Sequence, residues 1–125
     1  MTTKAKLLAV SLDCPEPKKL AEFYHEITGW EITYATDEYA AVSDGDGLNI
    51  YFGQLPEREA VTWPSPNKQF HLDFRVPDVE KAAAEYVELG ATRPDFQPGV
   101  TEEGVRWIVL QDPAGHAFCV CPEPS

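Results

Sequence analysis

Basic residues are scarce in this chain. Lysine and arginine total 10 against 21 acidic residues, a net charge of −11 with histidine neutral. That balance argues against a nucleic-acid partner, because phosphate binding needs a basic patch that releases counterions, and against an anionic membrane surface. Long apolar runs are missing: none approaches the ~20 residues that span a bilayer. The N-terminus, MTTKAKLLAVSLDC, has no apolar stretch of signal-peptide length. Cysteine is limited to Cys14, Cys119 and Cys121. An odd count without a C-x-x-C pair argues against a disulfide scaffold or zinc knuckle and favours buried, reduced thiols. Together these features predict a cytoplasmic protein.

What is present suffices for a real core: 43% of the 125 residues are hydrophobic, which bounds the chain to one compact domain or two very small ones. Residues 6–14, KLLAVSLDC, alternate, with Leu8, Val10, Leu12 and Cys14 facing one way and Ala9, Ser11 and Asp13 the other, as in a half-buried strand. Pro15 and Pro17 break the ladder and suit a first helical turn. Leu20, Phe23, Tyr24 and Ile27 then form one helical stripe, stopped by Gly29. Strands are expected over 30–34, 39–43 and 48–52, the last two joined by a D-G-D-G turn at 44–47. Residues 53–69 carry three prolines and little periodicity, and read as a linker.

The pattern then begins again. FHLDFRV at 70–76 alternates, with Phe70, Leu72, Phe74 and Val76 on one face and His71, Asp73 and Arg75 on the other. Asp78 is a candidate N-cap for a helix whose stripe is Val79, Ala82, Ala83 and Tyr86 and whose stop is Gly90. Residues 91–104 suggest a short strand and a loop, 105–111 a strand, 112–115 a turn and 116–121 a last strand. An offset of 62 lays AVSLDCPEPKKLAEFYHE (9–26) on HLDFRVPDVEKAAAEYVE (71–88), matching Pro15 to Pro77 and Tyr24 to Tyr86. Late in each half the offset is 68, matching Asp44 to Asp112 and Gly47 to Gly115. Each half therefore reads strand, helix, three strands.

Three segments, DCPEPKKLAEFYHEITGW (13–30), HLDFRVPDVEKA (71–82) and DPAGHAFCV (112–120), carry a resemblance to the vicinal oxygen chelate superfamily of glyoxalase I, extradiol dioxygenases and bleomycin-resistance proteins, in particular its small glyoxalase-like branch. The resemblance spans about residues 6–122. It implies an α+β fold of two βαβββ modules in tandem, forming curved mixed sheets around a common cleft. The whole chain, 1–125, is then one such domain: module one about 6–54, a linker about 55–69, module two about 70–122. It also implies a cleft that can hold a divalent metal, with ligands from the first and last strands of each module. Carried over residue by residue, those positions fall on Ala9, Tyr51, His71 and Cys119. Alanine offers no lone pair and tyrosine is an uncommon ligand, so the metal set, His71 and Cys119, is incomplete.

Other constellations are weaker. His71, Asp73 and Arg75 form a polar row, with Asp73 and Arg75 as a structural pair the bland alternative. His25, off its helix stripe, and His116, after a turn glycine, are expected in solvent. A Cys119–His71 nucleophile lacks a visible orienting group. Trp63 and Trp107 can line a cleft for a planar ligand; Trp107 can equally fill the core, and Trp63 can cover a sheet edge or a subunit contact. The expected function is binding of a small organic molecule, with His71, Tyr51, Cys119, Asp73 and Trp107 contacting it, no resident cofactor, and a homodimeric assembly. The alternatives are a metal-dependent lyase, isomerase or dioxygenase of the same superfamily, and a drug-sequestering binder of the bleomycin-resistance type.

Overall fold

The computed structural model describes residues 2–59 and 70–123. Two compact units divide the chain, Met1–Arg58 and Glu59–Ser125. Each is a βαβββ-like module with a helix on one face of a mixed sheet, and the fold class is α+β.

The first unit runs β1 (Ala9–Cys14), α1 (Pro17–Thr28), β2 (Glu31–Ala35), β3 (Tyr39–Ser43) and β4 (Asn49–Gln54). Its strands lie in the order β1-β4-β3-β2, with β1 and β4 parallel and the other pairs antiparallel. Period-2 alternation sends Val42, Ile50 and Phe52 to the helix side, where they are buried with Leu20, Phe23 and Tyr24. Tyr24 stacks on Phe52 with ring centroids 5.7 Å apart. Pro17 opens α1, where its missing N–H costs nothing. Gly29 closes it at φ +76°, a left-handed backbone cheap only for glycine, and its N–H bonds the His25 carbonyl at 2.8 Å. His25 is not solvated as expected. It is half-buried, and its Nδ1 donates to the Trp30 carbonyl at 2.6 Å, fixing the chain as it leaves the helix.

The second unit runs β5 (Leu72–Val76), α2 (Val79–Glu88), β6 (Val100–Thr101), β7 (Gly104–Val105), β8 (Ile108–Gln111) and β9 (Ala117–Pro122). Its main sheet is β5-β9-β8, and β6 and β7 pair as a separate hairpin. Ile108, Leu110, Phe118 and Val120 are buried with Ala82 and Ala83 of α2. Asp78 caps α2 by accepting the Lys81 N–H at 3.1 Å. The repeat holds at the level of register. Val10 pairs with Ile50; shifted by 62 and 68 these become Leu72 and Phe118, which pair in the same parallel sense.

Three expectations need correction. The outer strands begin later, at Ala9 and Leu72, because their parallel partners begin only at Asn49 and Ala117; Leu8 and Phe70, expected on the helix side, are exposed. The strand expected over 105–111 is broken after Val105, where the Arg106 N–H turns to the Gly99 carbonyl at 2.8 Å. His116, expected in solvent, is largely covered: its Nδ1 lies 2.8 Å from Oδ2 of the buried Asp112, whose Oδ1 also accepts the Ala114 and His116 amides. Trp63 lies outside the described residues.

Candidate functional site

Two sets of side chains occupy the sheet faces turned away from the helices, one in each unit. In the second unit, alternation along β5 turns Asp73 away from Leu72 and Phe74, and the parallel register sets it beside Cys119 of β9. His71, just before the strand, turns Nε2 to Oδ1 of Asp73 at 3.3 Å. Donor atoms of His71, Asp73 and Cys119 all lie within 4.8 Å of one another. Asp73 thus pairs with His71, where the sequence suggested Arg75.

Burial pushes the Cys119 thiol up to about 12, helped by the charge of Asp73, by a hydrogen bond to that carboxylate and by Cys121. Burial and Asp73 raise the Cys121 thiol too. A nucleophilic cysteine needs the opposite shift, toward thiolate at neutral pH. Asp73 is therefore a third group beside His71 and Cys119, but one that keeps the thiol protonated. Trp107 is half-buried, its indole pressed on Gly99: a Cβ there would collide with the Trp107 carbonyl oxygen and ring. Trp107 is engaged with this loop rather than standing free in solvent.

The first unit places Tyr51 on β4, cross-strand from Ser11 on one side and Ala41 on the other. One step along, Gly53 sits between Asp13 and Tyr39. Large and small residues thus alternate across three strands. The result is an open concavity of about 510 Å³, lined by Tyr34, Tyr39, Tyr51, Asp13, Asn49 and Thr33 among others, with Ala41 and Gly53 as its low points. Tyr34 reaches it through a β-bulge. Ile32 pairs with the buried Val42, whereas Tyr34 pairs with Ala41, so β2 spends one extra residue, Thr33, between them. Strict alternation would have sent Tyr34 to the helix side with Ile32; the bulge re-aims it. The tyrosines are 55%, 59% and 37% exposed at positions 34, 39 and 51, so their rings are open to a ligand.

Of the residues the sequence singled out, His71, Asp73 and Cys119 converge, Tyr51 belongs to the first unit, and Trp107 is held by Gly99. Asp73 as a third metal donor was missed, although it stands two residues from His71 on the same face. Asp13, Tyr34 and Tyr39 were also missed as a group. The alternation of β1 and β3 signals Asp13 and Tyr39; nothing in the sequence signals the bulge that brings Tyr34.

The glyoxalase-like domain model matches residues 9–121 of the chain. The chain belongs to the glyoxalase-like domain family. No curated protein matches it significantly. Among solved structures, a protein from Agrobacterium tumefaciens determined by NMR superposes with a TM-score of 0.70 at 19% identity, covering 98% of this chain and 100% of that one. A glyoxalase/bleomycin resistance protein/dioxygenase family enzyme from Burkholderia phytofirmans gives 0.68 at 19%, over 94% and 98%. The bleomycin-binding protein of Streptomyces verticillus, solved with copper(II)-bleomycin, gives 0.58 at 15%, over 98% and 100%. At such identities the likeness establishes the fold.

Of the four positions that the superfamily resemblance marks for a metal, Ala9 has no donor and Tyr51 offers a phenol. The nitrogen, oxygen and sulfur of His71, Asp73 and Cys119 do suit a borderline ion such as zinc, and do not suit magnesium or manganese. An ion held by three side chains keeps an open position, and would supply Lewis-acid chemistry there. To serve as a ligand, Cys119 must first lose a proton that burial and Asp73 hold in place.

Proposed function

We propose that this glyoxalase-like protein binds a small organic molecule in the concavity of its first module and does not transform it. The observation that carries the reading is the concavity itself. It combines three exposed tyrosine rings with a few polar groups, in a volume typical of small-molecule sites. In this reading Tyr51 serves the concavity, while His71, Asp73 and Cys119 form a polar contact set on the second module without a resident metal. The two modules act as one domain in a cytoplasmic homodimer. The family match across both modules supports the single domain, the three free thiols support the compartment, and the exposed Leu7 and Leu8 support pairing with a second copy, which light scattering measures.

A second reading, a metal-dependent lyase, isomerase or dioxygenase, is favoured by the convergence of His71, Asp73 and Cys119. One pair of measurements on untagged protein separates the two. Titration with 1-naphthylmethanol should show binding that Tyr51→Ala weakens roughly tenfold through the lost aromatic contact. Metal analysis after equilibration with zinc and dialysis should find well under one equivalent. One equivalent of zinc that disappears in His71→Ala, with no binding of the naphthyl probe, would favour the enzyme instead.

A further inference from the structure

The chemistry of the tyrosine-lined concavity says more than that a molecule fits. Among the described residues, its lining includes one carboxylate, Asp13, and no lysine, arginine or histidine. The carboxylate is placed by the sheet: Asp13 faces Gly53 across the parallel β1–β4 ladder, and its Oδ1 would lie 3.3 Å from a Cβ built on that glycine. Tyr39 flanks the same glycine from β3, and Tyr51 stands two residues back along β4. Gly53 therefore forms a bare patch with an anion on one side and aromatic rings on the other. Ring faces are the negative part of an aromatic quadrupole and attract cations, most strongly where water is partly excluded. Neutral and anionic groups gain nothing comparable there. The chain's net charge of −11 acts in the same direction at long range, raising the local concentration of cations.

We infer that the concavity selects organic cations, specifically a planar apolar body bearing an ammonium group, with the ammonium over Gly53 between Asp13 and the Tyr39 and Tyr51 rings. The body lies toward Ala41, where the bulge has brought Tyr34 to meet it. This inference rests on the binding function proposed above and narrows it to one ligand class.

The test compares three probes that share a body and differ in charge: 1-naphthylmethylammonium, 1-naphthylmethanol and 1-naphthylacetate, titrated calorimetrically at pH 7 and low salt. The cation should bind about tenfold more tightly than the alcohol, and the acetate least of all. Asp13→Asn should weaken the cation far more than the alcohol and so erase the cation's advantage. Tyr39→Leu should weaken the cation more than the alcohol. Circular dichroism and melting establish that each variant is folded; both side chains are exposed on the open face. Equal affinities for cation and alcohol, or a cation preference that survives Asp13→Asn, would overturn the inference while leaving the binding function standing. Failure of all three probes to bind the wild-type protein would overturn both.

Discussion

At the scale of single residues, Cys119 is the side chain whose chemistry the fold changes most. Its folded thiol titrates near 12, raised by burial first and by Asp73 second, whereas an unfolded cysteine titrates at about 8.5. A pKa raised on folding means that the native state holds the proton more tightly. The associated stability is fully present below the unfolded value and is lost as pH climbs from there toward 12. Urea midpoints at pH 8 and pH 10.5 should therefore differ more for wild type than for Cys119→Ala; identical differences would show that the thiol is not so perturbed. In the same way, Asp73→Asn should speed alkylation of Cys119 at pH 8, since an anion and a hydrogen bond that favour the thiol are gone. His71 behaves differently. Its side chain is exposed and its contact with Asp73 is a surface pair, so His71→Ala should move stability by no more than about 0.5 kcal/mol. His71 and Cys119 were singled out through the superfamily resemblance, and alternation in HLDFRV put His71 on the same face as Asp73. The third donor, Asp73, emerges as one only when the β5–β9 register sets it beside Cys119, a long-range fact that local pattern does not encode.

At the scale of elements, the two modules diverge most at the edge of the sheet. In the first, β2 covers the edge of β3. In the second, among the described residues, the backbone at the corresponding place bridges β8 where Thr92 meets Gln111, and a side chain takes over the rest. The Gln97 amide accepts the Val109 N–H and donates to the Val109 carbonyl, each at 2.9 Å, as a strand would. This closes an edge otherwise open to unwanted pairing. Gln97→Ala should cost about 1–3 kcal/mol, because two half-buried backbone groups lose their partners together; a melting temperature equal to wild type would mean that water replaces the amide at no cost. The sequence suggested only a short strand and a loop here, since a glutamine standing in for a strand leaves no periodic trace. The β2 bulge is invisible for a related reason: one extra residue alters which way Tyr34 points without altering composition. Helix ends were more legible. Asp78 acts through its own carboxylate on an amide three residues on, and Gly29 through its own backbone conformation, so their residue types alone were sufficient signals.

At the scale of the whole chain, the duplication is the most informative feature. Offsets of 62 and 68, read from a few matched prolines, tyrosines and turn glycines, reproduce the pairing of first and last strands in both modules. The family match across residues 9–121 follows the same extent. Fold and family were therefore largely legible. The site was less so, because the modules share a frame while the residues on their open faces have drifted apart. Ala9, Ser11 and Tyr51 in one correspond to His71, Asp73 and Cys119 in the other, and the frame alone does not say which set meets a ligand. No helix among the described residues is long and apolar enough to cross a membrane. The −11 charge adds a whole-molecule contribution, and cation binding should weaken between low salt and 0.15 M as screening shortens its reach.

The most direct test of the account is an amide chemical-shift titration of labelled protein with 1-naphthylmethylammonium. The largest shifts should fall on Asp13, Tyr34, Tyr39, Tyr51 and Gly53. Shifts confined to the strands carrying Asp73 and Cys119, or no saturable shifts at all, would contradict it.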